Sequence, residues 1–228
     1  MTHVASRRRA SAPLTGTDEL WLEMLQRLCG RLAHELKGAL NGVSVNLEVV
    51  RSRCEQPSTP AAAVGKYANA ASDQLGVVIA MTDALLALGR PERDTVDVGI
   101  VIRRIESLVG PAARADSRRL EVDPGVADLG PTSARGNAVR LAISAVLLGA
   151  TAASAHVVCR AANPGSEGKA PRAGSRTENQ AAGPVVYVES CDGSTLQEAL
   201  EPRVVDAAAG AGIHIQAAPS AITVSFPR

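Results

Sequence analysis

Apolar side chains recur at every third or fourth position from Asp18 to about Glu55, the spacing of a helix that buries one stripe. The stripe consists of Leu25, Leu28, Leu32, Leu36, Ala39, Val43, Leu47 and Val50. The Gln-Pro-Ser-Thr-Pro segment at 56–60 is predicted to end this helix. Proline lacks the amide hydrogen and disfavours helical geometry in the residue before it.

A second helix is predicted from Ala61 to Leu88, where small and apolar residues alternate at steps of four and three before Gly89-Arg90-Pro91 ends the pattern. Two long helices with a short turn predict an antiparallel hairpin. A lone hairpin cannot cover its own apolar stripes, so the sequence predicts a homodimer in which two hairpins form a two-fold four-helix bundle.

Short strand and helix patterns alternate after Arg93, which predicts an α+β unit with a small sheet covered by helices on one face. The domain prediction is a disordered basic tail at 1–17, a helical hairpin at 18–93 and an α/β sandwich at 94–228, with a mobile loop at 163–184. The predicted elements are a strand at 96–98, a helix at 100–114, a strand at 120–122, a helix at 134–153, strands at 155–160 and 185–189, a helix at 196–209, and a terminal hairpin of 212–216 with 222–226.

Composition and charge narrow the possible partners. Apolar residues make up 46% of the chain and aromatic residues only 2%, so the core has to be packed from Ala, Val, Leu and Ile. The formal net charge of +1 gives no field that would favour nucleic acid or an anionic membrane. No run reaches the roughly 20 apolar residues of a spanning helix. We therefore expect a cytoplasmic protein that has no membrane segment and binds no nucleic acid.

The four cysteines, Cys29, Cys54, Cys159 and Cys191, lack any metal-ligand spacing, so we expect reduced thiols and no metal site.

One histidine stands out in the first helix. At about 100° per residue, His34 lies opposite the stripe formed by Leu32 and Leu36 and is predicted to face solvent. Three glycines are spaced around it at four-residue steps, although each costs about 0.5–1 kcal/mol relative to alanine inside a helix. We interpret the glycines as access for a partner's backbone. The predicted docking residues are Arg27, Gly30, Arg31, Gly38, Asn41 and Gly42.

The segment His34-Glu-Leu-Lys-Gly-Ala-Leu-Asn41 resembles the phosphoacceptor box of two-component histidine kinases, H-E-[LIF]-[KR]-[NT]-P-L. The resemblance implies that His34 is phosphorylated on a ring nitrogen, that Glu35 orients the ring and keeps it basic, and that Lys37 supplies charge near the phosphoryl oxygens. A neutral imidazole is nucleophilic near pH 7, which suits this chemistry. Gly38 replaces the Asn or Thr that positions a hydrolytic water in phosphatase-active members, and Ala39 replaces the family's proline.

The order of elements from Thr95 onward is similar to that of the ATP-binding domain of the same kinases. The residues that bind ATP in that family are absent from this sequence. The family's Mg²⁺-binding asparagine should fall in the stretch Leu141–Ala153, which contains no asparagine or glutamate. Cys191-Asp192-Gly193-Ser194-Thr195 replaces D-x-G-x-G. The glycine-rich lid is missing. Phosphoryl transfer from ATP depends on positioning and on cancelling charge, so we expect no ATP cofactor. A shifted register in which Asp192 reads adenine remains open.

The whole pattern resembles stand-alone dimeric histidine phosphotransferases, which pair a helical hairpin with a degenerate kinase-like domain. The resemblance implies transfer through His34 between receiver-domain aspartates, without ATP and with Mg²⁺ supplied by the receiver. The expected partners are response-regulator receiver domains, and a hybrid histidine kinase is a further candidate. Two alternatives stay open: a divergent ATP-dependent kinase, and a non-catalytic dimeric adaptor of a two-component system.

Overall fold

The computed structural model describes residues 16–56, 58, 60–90, 95–162 and 183–228. Arg7-Arg8-Arg9 and most of the predicted tail and loop lie outside these ranges. The order of elements is α1 Gly16–Cys54, α2 Ala61–Gly89, β1 Val96–Asp97, α3 Val98–Ala115, β2 Arg119–Val122, a 3-10 turn Pro124–Asp128, β3 Pro131–Thr132, α4 Gly136–Ala153, β4 His156–Ala161, β5 Val185–Ser190, α5 Pro202–Gly210, β6 His214–Ala218 and β7 Ala221–Ser225.

The two long helices follow the sequence prediction closely. α1 carries Asp18 and Glu19 in its first turn and Arg51 and Arg53 in its last, charges that complement the helix dipole. Its first turn includes Gly16 and Thr17, so the helix begins two residues before the predicted start of the hairpin at Asp18. Pro60 precedes α2 in an extended conformation. α1 and α2 pack against each other as the predicted hairpin.

The second unit contains a five-stranded mixed sheet in the order β2-β4-β5-β7-β6 and a two-stranded sheet of β1 and β3. Only β2 and β4 run parallel; the other pairs are antiparallel. Cys159, Val188 and Ile222 pair across three strands and are fully buried. The opposite face carries Arg160 and Glu189, whose charged groups are 2.8 Å apart. This alternation confirms the predicted α+β class, with one sheet face covered by helices.

One element prediction in this unit is wrong. The helix expected from Leu196 begins only at Pro202, in the first helical position, where its fixed φ suits a helix start and where it holds Glu201 extended (φ −72°, ψ 127°). Leu196 is completely buried although it lies in an irregular segment, because its apolar side chain joins the core without helical backbone.

A continuous core joins the base of the hairpin to the second unit. Trp21, Leu28 and Leu32 of α1 belong to the same buried cluster as Ile102 of α3 and Leu141 of α4. Beyond Leu32, α1 as described has no fully buried side chain, and the distal half of α2 has only Ala71. The distal hairpin therefore projects from the body with its apolar residues incompletely covered.

Candidate functional site

His34 lies at the middle of α1, where the hairpin leaves the body of the molecule. Its side chain is exposed, while Leu32 two residues earlier is only 2% exposed. Helical periodicity turns position 34 away from the buried stripe, as the sequence predicts. Among the described residues, none makes a hydrogen bond or ion pair with the exposed imidazole.

The neighbours assigned to the phosphoacceptor chemistry lie on the same stretch of α1. Glu35 is half-buried and Lys37 is exposed. Neither makes a hydrogen bond or ion pair with a described side chain. The orienting role of Glu35 and the charge role of Lys37 therefore stay predictions.

The glycines around His34 differ in their surroundings. A methyl group on Gly30 or Gly38 would meet no atom within 4 Å, so both positions leave the helix surface bare. A methyl group on Gly42 would collide with the end of the Gln74 side chain on α2, which itself accepts a hydrogen bond from Asn46 at 3.3 Å. Placing Gly42 on the open face was wrong, because α2 packs against it. Asn41 is exposed, as are Gly30 and Gly38.

The two arginines predicted for docking are engaged by the second unit. The Arg27 guanidinium lies 2.6 Å from a carboxylate oxygen of Glu201, and Arg203 lies 2.7 Å from the other oxygen and 2.9 Å from Glu23. Hydrogen bonds from Arg27 and then Arg203 lower the pKa of Glu201. Arg31 pairs more loosely with Asp116, at 3.9 Å.

Sequence reasoning missed the carboxylate partners of these arginines. Residues 27 and 201 are 174 positions apart, and no local pattern predicts a contact over that separation. Through these pairs the end of α3 and the start of α5 contact α1, on the two turns that precede His34. A groove of about 540 Å³ lies in this seam; its rim includes Arg27, Gly30 and Glu201, and its wall includes Leu148 of α4 and Val204 of α5.

Asp192 is the candidate adenine-binding residue, but its carboxylate oxygens are already hydrogen-bonded within the fold. Its carboxylate accepts hydrogen bonds from the hydroxyls of Ser190 at 2.6 Å and Ser154 at 2.9 Å, and from the amides of Ala155 at 2.6 Å and Ser194 at 3.0 Å. These bonds, those from Ser190 and Ser194 foremost, hold the pKa of Asp192 well below its usual range. The carboxylate thus fastens the turn after β5 to the connection between α4 and β4, which argues against the shifted register.

The helix expected to carry the Mg²⁺ ligand is packed as a core helix. α4 buries Ala142, Ile143 and Leu147 together with most of its other side chains. A nucleotide-binding helix needs a polar ligand facing an open site, and the stretch Leu141–Ala153 offers no asparagine or carboxylate. The residues of this stretch therefore do not fit a bound ATP-Mg²⁺.

Three of the four cysteines lie at the surface. Cys29, Cys54 and Cys191 are exposed, and Cys159 is buried in the sheet, where desolvation raises its thiol pKa to about 12. Within the described ranges, no group of three or more His, Cys, Asp or Glu side chains could hold a metal ion.

Two described helices are long and apolar enough, by length and composition, to cross a membrane. The apolar window of α4 is 67% buried inside the fold, and that of α2 is 22% buried. Both windows reach a mean hydropathy of 1.4. Two such helices are weak evidence for a membrane span, because a buried core helix passes the same test.

Comparison with known proteins gives a distant likeness. No model of a protein family matches the chain, and no curated protein matches it either. Among solved structures, the chain is similar to the histidine kinase AdeS of Acinetobacter baumannii, with 12% sequence identity and a TM-score of 0.39, over 85% of this chain and 97% of that chain. At this score the likeness to a histidine kinase carries no argument for function and does not separate a phosphotransferase from a kinase.

Proposed function

We propose that this protein is a cytoplasmic phosphorelay histidine phosphotransferase that passes a phosphoryl group between receiver-domain aspartates through His34. The observation that carries the proposal is an exposed imidazole on α1, inside the phosphoacceptor-like segment, with bare helix surface at Gly30 and Gly38. Access matters because an incoming aspartyl phosphate has to bring its phosphorus within bonding reach of a ring nitrogen.

In the first step a neutral ring nitrogen of His34 attacks the phosphorus of the receiver's acyl phosphate. The bond from phosphorus to the aspartate oxygen breaks, and the carboxylate leaves with the electron pair. The second step is the reverse reaction with the aspartate of another receiver. The Mg²⁺ belongs to the receiver, and ATP takes no part.

The proposed active form is a homodimer. Large apolar side chains are exposed along the hairpin, among them Leu40, Leu47, Leu75, Ile79 and Leu86, at 45–58% exposure. By helical periodicity, Leu40 and Leu47 on α1 lie away from His34, beside Leu75, Ile79 and Leu86 on α2. A groove between Leu25 and Cys29 of α1 and Leu86 of α2 continues this side toward the base. A second hairpin seated there forms the four-helix bundle and leaves both His34 side chains accessible.

The test is a panel of phosphorylated receiver domains from the same organism, each incubated with the full chain and Mg²⁺. We expect an acid-labile phosphoryl group on this protein from at least one receiver, followed by its transfer to a second receiver. A divergent kinase would instead label itself from ATP-Mg²⁺. An adaptor would bind a receiver without acquiring phosphate, and either result would reject the proposal.

A further inference from the structure

A carboxylate of the second unit, Asp116, pairs with Arg31, the positively charged residue next to His34 on α1. Arg31 precedes His34 by three residues on α1, so the two side chains are neighbours on the helix surface. The Arg31 guanidinium points to Asp116, 3.9 Å away, and the two side chains are 47% and 59% exposed. Arg31 therefore lies between the proposed phosphoacceptor and a carboxylate from the end of α3.

The position of Asp116 is fixed by the turn that follows it. The amide of Arg118 donates to the carbonyl of Ala113 at 2.7 Å and that of Ser117 to Arg114 at 3.0 Å, the bonds of a helix-terminating motif. Ser117 adopts a φ of 58°, a left-handed conformation that costs a side-chain-bearing residue energy. The guanidinium of Arg118 also donates to the carbonyls of Thr151 and Ala152 at the end of α4. These bonds fix the backbone on the C-terminal side of Asp116, from which its exposed carboxylate reaches Arg31.

The pair between Arg31 and Asp116 is easily exchanged. At 3.9 Å it is not a hydrogen bond, and exposed ion pairs contribute little to stability. A phosphoryl group carries close to two negative charges and three strong acceptor oxygens, and guanidinium binds such groups with paired hydrogen bonds. Arg27 differs, because its partner Glu201 is closer, at 2.6 Å, and is also bound by Arg203.

We propose that Arg31 is an anion-binding residue for the phosphoryl group at His34, and that Asp116 occupies it until a phosphoryl group takes its place. Arg31 is then the residue that positions the incoming phosphate, and the second unit sets how readily His34 reacts. The inference rests on the proposed role of His34 as phosphoacceptor. In this proposal, the contact between Asp116 of the second unit and Arg31 of α1 regulates the phosphorylation of His34.

The experiment uses phosphoramidate as the phosphoryl donor, so it needs no receiver. A ring nitrogen of His34 attacks phosphorus, the phosphorus–nitrogen bond of the donor breaks, and protonated nitrogen leaves as ammonia. The rate is measured on the full chain at low salt and pH 8, where imidazoles are generally neutral. We expect Asp116→Asn to react about two- to fivefold faster than the unmodified protein, the range for release of an exposed ion pair.

Two variants separate the pair from a general charge effect. Glu48→Gln makes the same charge change on α1, where Glu48 lies 2.6 Å from Arg51 and about 21 Å along the helix from His34, and should leave the rate unchanged. Arg31→Ala should react more slowly, and adding Asp116→Asn to it should give no gain. Raising the salt to 0.5 M should shrink the effect of Asp116→Asn, because salt screens exposed charges.

Equal rates in Asp116→Asn and the unmodified protein, an equal gain in Glu48→Gln, or no labelling of His34 in any variant would overturn this inference. It can fail alone, if receivers transfer phosphate to His34 but Asp116→Asn changes nothing. The proposed function can also fail alone, if phosphoramidate gives the expected rates but no receiver transfers phosphate.

Discussion

Gly30 and Gly38 leave α1 bare one turn before and one turn after the His34 imidazole. A methyl group at either position would meet no described atom within 4 Å, so the fold leaves room for a side chain there. Gly42, by contrast, accommodates Gln74. Two of the three glycines thus reduce helix stability without a packing reason, which fits a surface that another protein approaches closely.

Gly30→Ala and Gly38→Ala should therefore separate stability from transfer. Each should raise the free energy of unfolding by about 0.5–1 kcal/mol, measured in urea, because alanine is the better helix former. Each should also slow phosphotransfer from a receiver domain, because the methyl group obstructs the approach.

The matched control is Gly76→Ala on α2, where a methyl group also meets no atom within 4 Å. It should stabilise the protein by a similar amount and leave the transfer rate unchanged. If Gly30→Ala and Gly38→Ala transfer as fast as Gly76→Ala, the glycines do not serve access.

At the scale of elements, two carboxylates at turns and helix ends of the second unit make hydrogen bonds that complement its apolar core. Asp192 joins the turn after β5 to the connection between α4 and β4 through four hydrogen bonds. Asp97 accepts from the Ile100 amide at 2.9 Å and caps α3. Both carboxylates act in the fold, and Asp192 does so where the kinase-like pattern predicts an adenine-binding residue.

Asp192→Asn should lower the urea midpoint at pH 7, because the amide cannot accept the same set of hydrogen bonds. The pKa of Asp192 is lower in the folded than in the unfolded chain, so its contribution is present above about pH 4, where a free aspartate ionises, and is lost as the pH falls further. The gap between the two midpoints should therefore narrow on acidification. Asp206→Asn, an exposed change on α5, should show no gap; a gap for Asp192→Asn that is constant with pH would contradict the assignment.

Elements with local signals could be predicted from the sequence, and those that depend on distant contacts could not. α1 and α2 end within two residues of their predicted bounds because periodicity and the prolines at 57 and 60 act locally. The two-residue strands β1 and β3 exist only through their mutual pairing. The start of α5 was predicted too early because Leu196 was taken as part of a helical apolar pattern. Its side chain is buried in the core, but its backbone is not helical.

In the candidate site too, local features could be predicted from the sequence and distant contacts could not. Exposure of His34 followed from helical periodicity alone. The pairing of Arg27 with Glu201 and of Arg31 with Asp116 depends on how the second unit packs on α1, which no spacing along the chain encodes.

At the scale of the whole molecule, the exposed apolar side of the hairpin is the feature that a single chain leaves unexplained. α2 is apolar, yet its most apolar window is only 22% buried. The core that covers the hairpin base ends near Leu32 and Met81. A second copy packed on the distal hairpin covers this surface without covering His34.

Two exposed residues of α1, Leu47 and Val45, allow a test of the proposed dimer interface. They are 52% and 56% exposed, but two residues turn them about 200° apart, so only Leu47 faces the proposed partner copy. Leu47→Glu should shift the protein toward monomer in sedimentation equilibrium, whereas Val45→Glu should leave it dimeric. Equal effects of the two variants, or a monomeric unmodified protein, would reject the four-helix bundle.

The central claim is that His34 itself carries the phosphoryl group, and the direct measurement is transfer from a phosphorylated receiver to single-histidine variants. The chain has four histidines: His3, His34, His156 and His214. His34→Gln should abolish acid-labile labelling. His156→Gln, at an imidazole already 3.0 Å from Glu121, should retain it. Labelling that persists in His34→Gln, or that disappears in His156→Gln while the fold stays intact, would contradict the account.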